Sequence, residues 1–161
     1  KLKSVMSIPV VDTSGKELKM IALDREDFGV SEEGLGPEDA KSAAERVLGA
    51  LVATVTDESG RWLLAGPHRD ARSEYALAGM DGGQLVHAVI DRFIVDANGD
   101  TWIVDYKTST HEGGNLADFL AAESDRYRPQ LQKYAEIYRN YSGADVRCAL
   151  YFPLLQRFVE L

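Results

Sequence analysis

Ile90-Asp91-Arg92-Phe93 and, one turn further on, Trp102-Ile103-Val104-Asp105-Tyr106-Lys107-Thr108 are the two stretches that decide the fold. The first aspartate follows the apolar run Leu85-Val86-His87-Ala88-Val89-Ile90, and the second follows Trp102-Ile103-Val104. Between them, Ala97-Asn98-Gly99-Asp100 predicts a hairpin turn, because Asn-Gly accepts positive φ. Strands over 84–95 and 101–107 are then antiparallel neighbours, with Asp91 and Asp105 on adjacent strands. Residues two apart in a strand share a face, so Asp105 and Lys107 project together. Acids embedded in buried strands are costly unless paired or bound to a metal.

Working outward, Pro37-Glu38-Asp39 is a helix-start signal, with proline in the first turn and acids at the positive end of the dipole. Val47, Leu48, Leu51, Val52 and Val55 recur at helical spacing. A helix is predicted over 38–57, ended by Glu58-Ser59-Gly60. Further strands are predicted over 61–65 and 72–78. Residues 7–11 and 18–23 suggest short strands around a turn at 12–15, and the acidic stretch 24–36 reads as a loop. Residues 111–115 read as a loop and 116–122 as a short helical piece. A longer helix is expected to start at Arg128-Pro129, since proline is tolerated in a first turn. Leu131, Tyr134, Ala135 and Tyr138 form its apolar stripe, and residues 140–143 end it. Strands over 146–152 and 157–161 close the chain. This order predicts an α/β (α+β) domain, with a central mixed β-sheet flanked by helices.

The 161 residues, 45% of them hydrophobic, suit one domain with a substantial core. Residues 1–35 read as an N-terminal extension or the remnant of a preceding region, and 36–161 as the domain proper. A chain opening on Lys1 reads as a fragment of a longer protein. Cys148 is alone, so no internal disulfide is possible, and a reducing compartment, the cytoplasm, is the expected location. Its apolar surroundings, Cys148-Ala149-Leu150-Tyr151-Phe152, predict a buried, inert thiol. No apolar run approaches a membrane span. A net charge of −8 argues against a free-standing nucleic-acid binder. The charge is uneven, however. Residues 1–40 hold five basic and nine acidic side chains, whereas residues 126–161 hold six basic and three acidic. Clustered acids can also serve a bound cation, which reverses the local field.

Asp91, Asp105 and Lys107 suit phosphodiester hydrolysis. That reaction needs a nucleophilic water, neutralisation of the phosphoryl oxygens and help for the leaving oxygen, and carboxylate-held magnesium can supply all three. Magnesium takes oxygen ligands and keeps several waters. Two carboxylates and a backbone carbonyl therefore suffice, and the Tyr106 carbonyl lies between the two motif side chains. Lys107 would orient the attacking water and offset phosphate charge. His68, His87 and His111 are read as packed or solvent-facing imidazoles, although His87 alternates with Val89 and Asp91 on one strand face. Arg61, Arg69 and Arg72 are read as surface arginines, and Trp62 and Trp102 as core residues in strands. No Gly-x-x-x-x-Gly-Lys-Ser/Thr pattern occurs, so ATP hydrolysis is not expected.

Four segments in order resemble the PD-(D/E)XK nuclease superfamily, and more narrowly the C-terminal nuclease domain of RecB-like and AddA-like helicase–nucleases, the exonuclease V beta-subunit family. They are Ser73-Glu74-Tyr75-Ala76-Leu77, Val89-Ile90-Asp91-Arg92, Ile103-Val104-Asp105-Tyr106-Lys107-Thr108 and Tyr127-Arg128-Pro129-Gln130-Leu131-Gln132-Lys133-Tyr134. Leu150-Tyr151-Phe152-Pro153 resembles the closing strand, so the likeness covers about residues 61–153. It implies a restriction-endonuclease-like core. Asp91, Asp105 and the Tyr106 carbonyl would be ligands of Mg2+ (or Mn2+), and Lys107 the catalytic lysine. Glu74 would be a supporting acid, and Gln130 and Tyr134 would line the active site. It further implies DNA as substrate, a helicase portion of the same polypeptide and other subunits as partners, no membrane, and a role in double-strand-break repair and recombination.

Two departures stand beside the likeness. Ala88 occupies a position where the family often has glycine, and the helix at 38–57 lacks the family's metal-binding histidine, which is then expected upstream of Lys1. The alternative is a catalytically incomplete nuclease-fold module with a structural or docking role.

Overall fold

The computed structural model describes residues 37–161 apart from residue 112, together with four two-residue strands nearer the start of the chain. Of those four, β1 (Val5–Met6) pairs antiparallel with β4 (Leu23–Asp24), and β2 (Val10–Val11) with β3 (Glu17–Leu18). Asp24, expected to open the loop over 24–36, ends β4 instead; the rest of that loop, the turn expected at 12–15, and residues 7–9 and 19–22 of the expected strands lie outside the described residues.

The main sheet has five strands in the order β5-β6-β7-β8-β9. β5 (Asp70–Asp81) and β6 (Gln84–Val95) form a long hairpin across Gly82-Gly83. β7 (Thr101–Tyr106) returns antiparallel to β6, paired from Arg92↔Val104 to Val95↔Thr101. The intervening turn is fixed by Asp96, whose Oδ1 accepts from the backbone N–H of Asn98, Gly99 and Asp100. Gly99 there has φ +101, a conformation that side-chain-bearing residues rarely adopt. β8 (Val146–Phe152) lies parallel to β7, which requires a crossover, and helix α3 (Leu116–Ser142) provides it. β9 (Arg157–Glu160) pairs antiparallel with β8 at the edge. The sheet is thus mixed, with helices on both faces, as the element order predicts.

Two cores result. Under α3, Leu131, Ala135 and Ile137 meet Leu77, Ala88, Ile90, Phe93, Ile103, Leu150 and Phe152. On the other face, Val47 of α1 (Pro37–Thr56) and Leu63 of α2 (Glu58–Ala65) meet Ile94, Trp102, Val104 and Tyr151. β7 is buried along its whole length, as expected for a strand covered on both faces.

Two elements differ from the sequence reading. Residues 61–65, expected as a strand, belong to helix α2, so Trp62 packs from a helix. Asp57 starts α2 by accepting from the Gly60 N–H, so Glu58-Ser59-Gly60 opens a second helix where an ending was expected. Gly60 is needed for close approach, since a Cβ there would sit 2.2 Å from the Thr54 carbonyl oxygen and 2.5 Å from the Tyr151 hydroxyl. Secondly, α3 runs unbroken from Leu116 to Ser142 with Pro129 inside it. Pro129 and Asp125, whose carbonyl loses its helical partner, are both exposed, so water can take up the freed group.

Arg92 joins the sheet to α2. Its Nε donates to the Leu63 carbonyl at 2.9 Å, one terminal nitrogen reaches the Leu64 carbonyl at 3.4 Å, and the other donates to Ser73 Oγ at 3.0 Å. The side chain therefore satisfies carbonyls that the end of a short helix leaves free. Arg92→Ala would strand these buried acceptors and is expected to cost about 3 kcal/mol of folding stability, measured by urea unfolding. Arg92→Lys should recover only part of this, because an ammonium lacks the planar fork.

Cys148 is 7% exposed, and its Sγ lies 3.5 Å from the Leu131 carbonyl oxygen. Burial pushes its thiol up to about 11. The neutral thiol is thus favoured, and its contribution to stability persists at neutral pH and is lost only as pH rises through that value. A thiol reagent should leave the folded chain unmodified at about pH 8 and react on unfolding.

Candidate active site

The site forms where β6 and β7 separate. Their pairing begins at Arg92↔Val104, so residues 92–95 of β6 pair with both β5 and β7, whereas residues 84–90 pair with β5 alone. At the divergence, Asp91 Oδ2 accepts from the Tyr106 backbone N–H at 3.0 Å, so a side chain replaces a ladder bond. The alternation of β6 also slips here. Ala88, Ile90 and then Phe93 face the α3 core, while Ile94 faces the other. The change falls on Asp91-Arg92 and re-aims their side chains without an inserted residue, since the β5–β6 register is the same on both sides of it. On β5 the ladder passes from Ser73↔Arg92 to Tyr75↔Ile90 and skips Glu74, whose φ is +51. A non-glycine residue in that region holds about 1–3 kcal/mol of strain. Glu74 and Asp91 thus occupy matching irregularities on adjacent strands.

The electrostatics follow from crowded acids under partial burial. Burial first, then the neighbouring charge of Asp105, holds the Asp91 carboxyl well above the usual carboxylate range, and Glu74 adds to the effect. Burial also raises Glu74. Asp105 and Lys107 meet as expected from their spacing, with Nζ 2.5 Å from Oδ2 and only 14% and 13% of the two side chains exposed. That Oδ2 is buried, and the Lys107 ammonium is the group that faces it. Burial works against the Lys107 ammonium, yet Asp105 more than offsets it and the lysine is raised. Although β7 ends at Tyr106, the Lys107 N–H donates to the Tyr151 carbonyl at 2.8 Å, which fixes its backbone to β8.

Helix α3 supplies the wall. Lys107 Nζ lies 3.6 Å from the Tyr127 ring centroid. Gln130 Nε2 donates to the Tyr134 hydroxyl at 2.9 Å, one turn further along. This pair is on one helix face as expected, and its bond is with itself. Two residues gained no role from the sequence. Tyr127 was visible only as part of a motif, and its contact with Lys107 depends on tertiary packing. Glu123, one turn before Tyr127, has a side chain only 12% exposed and joins Ser109 and Arg126 at 3.5 and 3.6 Å. Its i, i+4 spacing from Tyr127 was the available signal.

Other sequence candidates have structural partners. Arg69 donates twice to the Ala97 carbonyl, Arg72 pairs with Asp70, and Arg61 donates to the Thr56 carbonyl. His87 is exposed opposite Ala78 in the β5–β6 hairpin, His68 packs on Trp62 and His111 on Phe119.

Among the described residues, no three His, Cys, Asp or Glu side chains are grouped to hold a metal ion. The donor chemistry nevertheless fits a hard cation that keeps much of its water. Asp91 and Asp105 repel each other, a cost that a cation held between them would relieve.

A mixed five-stranded sheet flanked by three helices, with its acids at the fork between two central strands, is a restriction-endonuclease-like α/β fold. The chain belongs to the PD-(D/E)XK nuclease superfamily, whose family model matches residues 15–157. No curated protein is matched.

Proposed function

We propose that the chain is a metal-dependent deoxyribonuclease module that hydrolyses DNA phosphodiester bonds. The observation that carries it is the meeting of Asp91, Asp105 and Lys107 at the fork of β6 and β7. Asp91, Asp105 and the Tyr106 carbonyl would hold Mg2+ or Mn2+. When bound, the cation would neutralise phosphoryl charge and supply acidified water at neutral pH. Lys107 positions water and stabilises the developing negative charge, and the partial burial around it strengthens both interactions. Glu74 supports Asp91, while Gln130 and Tyr134 line the approach of the strand. The four-segment resemblance supports a narrower placement, as the nuclease domain of a RecB/AddA-like helicase–nuclease acting in break repair, with residues 36–161 as the catalytic domain and the helicase portion as partner. The net charge of −8 fits that placement, because other regions would supply most affinity for DNA.

Linear single- and double-stranded DNA incubated with the chain should be cut in magnesium or manganese and spared in EDTA. A chain that binds DNA but leaves it whole under every metal condition would instead be the structural or docking module. The pairing of Lys107 with Asp105, with no grouped third acid among the described residues, is what favours that second reading.

A further inference from the structure

We propose that Tyr127 is the positioning residue for Lys107, its ring holding the ammonium in place while Asp105 turns to other duties. This rests on the nuclease reading of the same site. Lys107 is the first residue past the end of β7, and its backbone is anchored by the bond to Tyr151. Beyond that anchor the side chain has four rotatable bonds, and a lysine so placed needs a guide. Asp105 at 2.5 Å is one guide. In a metal-loaded site, however, its carboxylate would be shared with the cation, which weakens its hold on the lysine.

The Tyr127 ring, 3.6 Å from Nζ, has no metal to share; its other cation, Arg126, lies farther off at 5.1 Å from the centroid and pairs with Glu123. An aromatic face attracts an ammonium through its quadrupole and carries no net charge. It can therefore fix the lysine without neutralising it, leaving the positive charge for phosphate. The ring is itself well held. Tyr127 is half-buried and packs against the core under α3, on the long helix whose Leu131, Ala135 and Ile137 are anchored in that core. Glu123, one turn earlier, pairs with Arg126 and reaches Ser109, tying the segment after Lys107 to the same helix. The wall and the lysine are thereby held on one rigid frame.

Tyr127→Phe keeps the ring face, whereas Tyr127→Leu keeps apolar volume and removes it. Two readouts separate the roles, with thermal unfolding confirming that both variants fold. In the metal-free chain carrying 13C-lysine, the Lys107 ε-methylene should show an upfield ring-current shift in wild type and Tyr127→Phe, and lose it in Tyr127→Leu. With magnesium and DNA, kcat of Tyr127→Leu should fall about 10- to 100-fold at nearly unchanged KM, as expected from a misplaced catalytic group, while Tyr127→Phe stays near wild type. An unchanged Lys107 shift in Tyr127→Leu, or wild-type kcat in that variant, would overturn the proposal. A wild type that cuts nothing would overturn the nuclease reading, and the ring-current comparison would still decide whether Tyr127 holds Lys107.

Discussion

Lys107→Ala is expected to lower DNA cleavage by roughly 10³-fold or more, with DNA binding reduced far less. The size follows from what the ammonium does. A preorganised cation aimed at developing charge in a partly desolvated site contributes about as much as an oxyanion-hole donor, ~10²–10³ in rate, and its part in placing water adds to that. Only 14% of the Lys107 side chain is exposed, so water would be a poor replacement. The same change leaves the buried Asp105 oxygen without its ion-pair partner. Metal-free Lys107→Ala should therefore also be less stable than wild type, and added magnesium should restore part of the loss. Single-turnover cleavage and thermal unfolding with and without magnesium measure the two effects.

Asp91→Asn carries the second large effect. The asparagine keeps the shape and can still accept from the Tyr106 N–H, so the fork between β6 and β7 should survive. It removes a carboxyl that burial and the Asp105 charge push up to about 8, and with it the cost of protonating that group on folding at neutral pH. The metal-free variant should thus fold at least as stably as wild type. It should lose the stabilisation that magnesium gives wild type, and cleavage should fall by about 10³-fold, since one of two carboxylate ligands is gone. Stability gained with activity lost would separate a functional acid from a structural one.

Much of this was legible along the chain because it is local. β6 ends where the apolar run and the Asn98-Gly99 turn place it, β8 matches its predicted span, and two-residue spacing sufficed to bring Asp105 and Lys107 together. What was not legible depends on distant partners. α2 reads as a strand because Trp62-Leu63-Leu64-Ala65 is a short apolar run with no helical period. Its true start is set by Asp57, which also accepts from the Tyr151 hydroxyl 94 residues away. Pro129 marks a helix start by the usual rule, but an exposed carbonyl and core packing on the opposite side carry the helix through it. The left-handed backbone of Glu74 and the slip at Asp91-Arg92 are likewise invisible to residue patterns, although they aim the acids.

The most direct test of the central claim is end-labelled linear DNA incubated with magnesium and either wild type or Asp105→Asn. Wild type should give fragments, the variant none, and neither any in EDTA. Equal cleavage by the two proteins, or intact DNA with wild type in both magnesium and manganese, would contradict it.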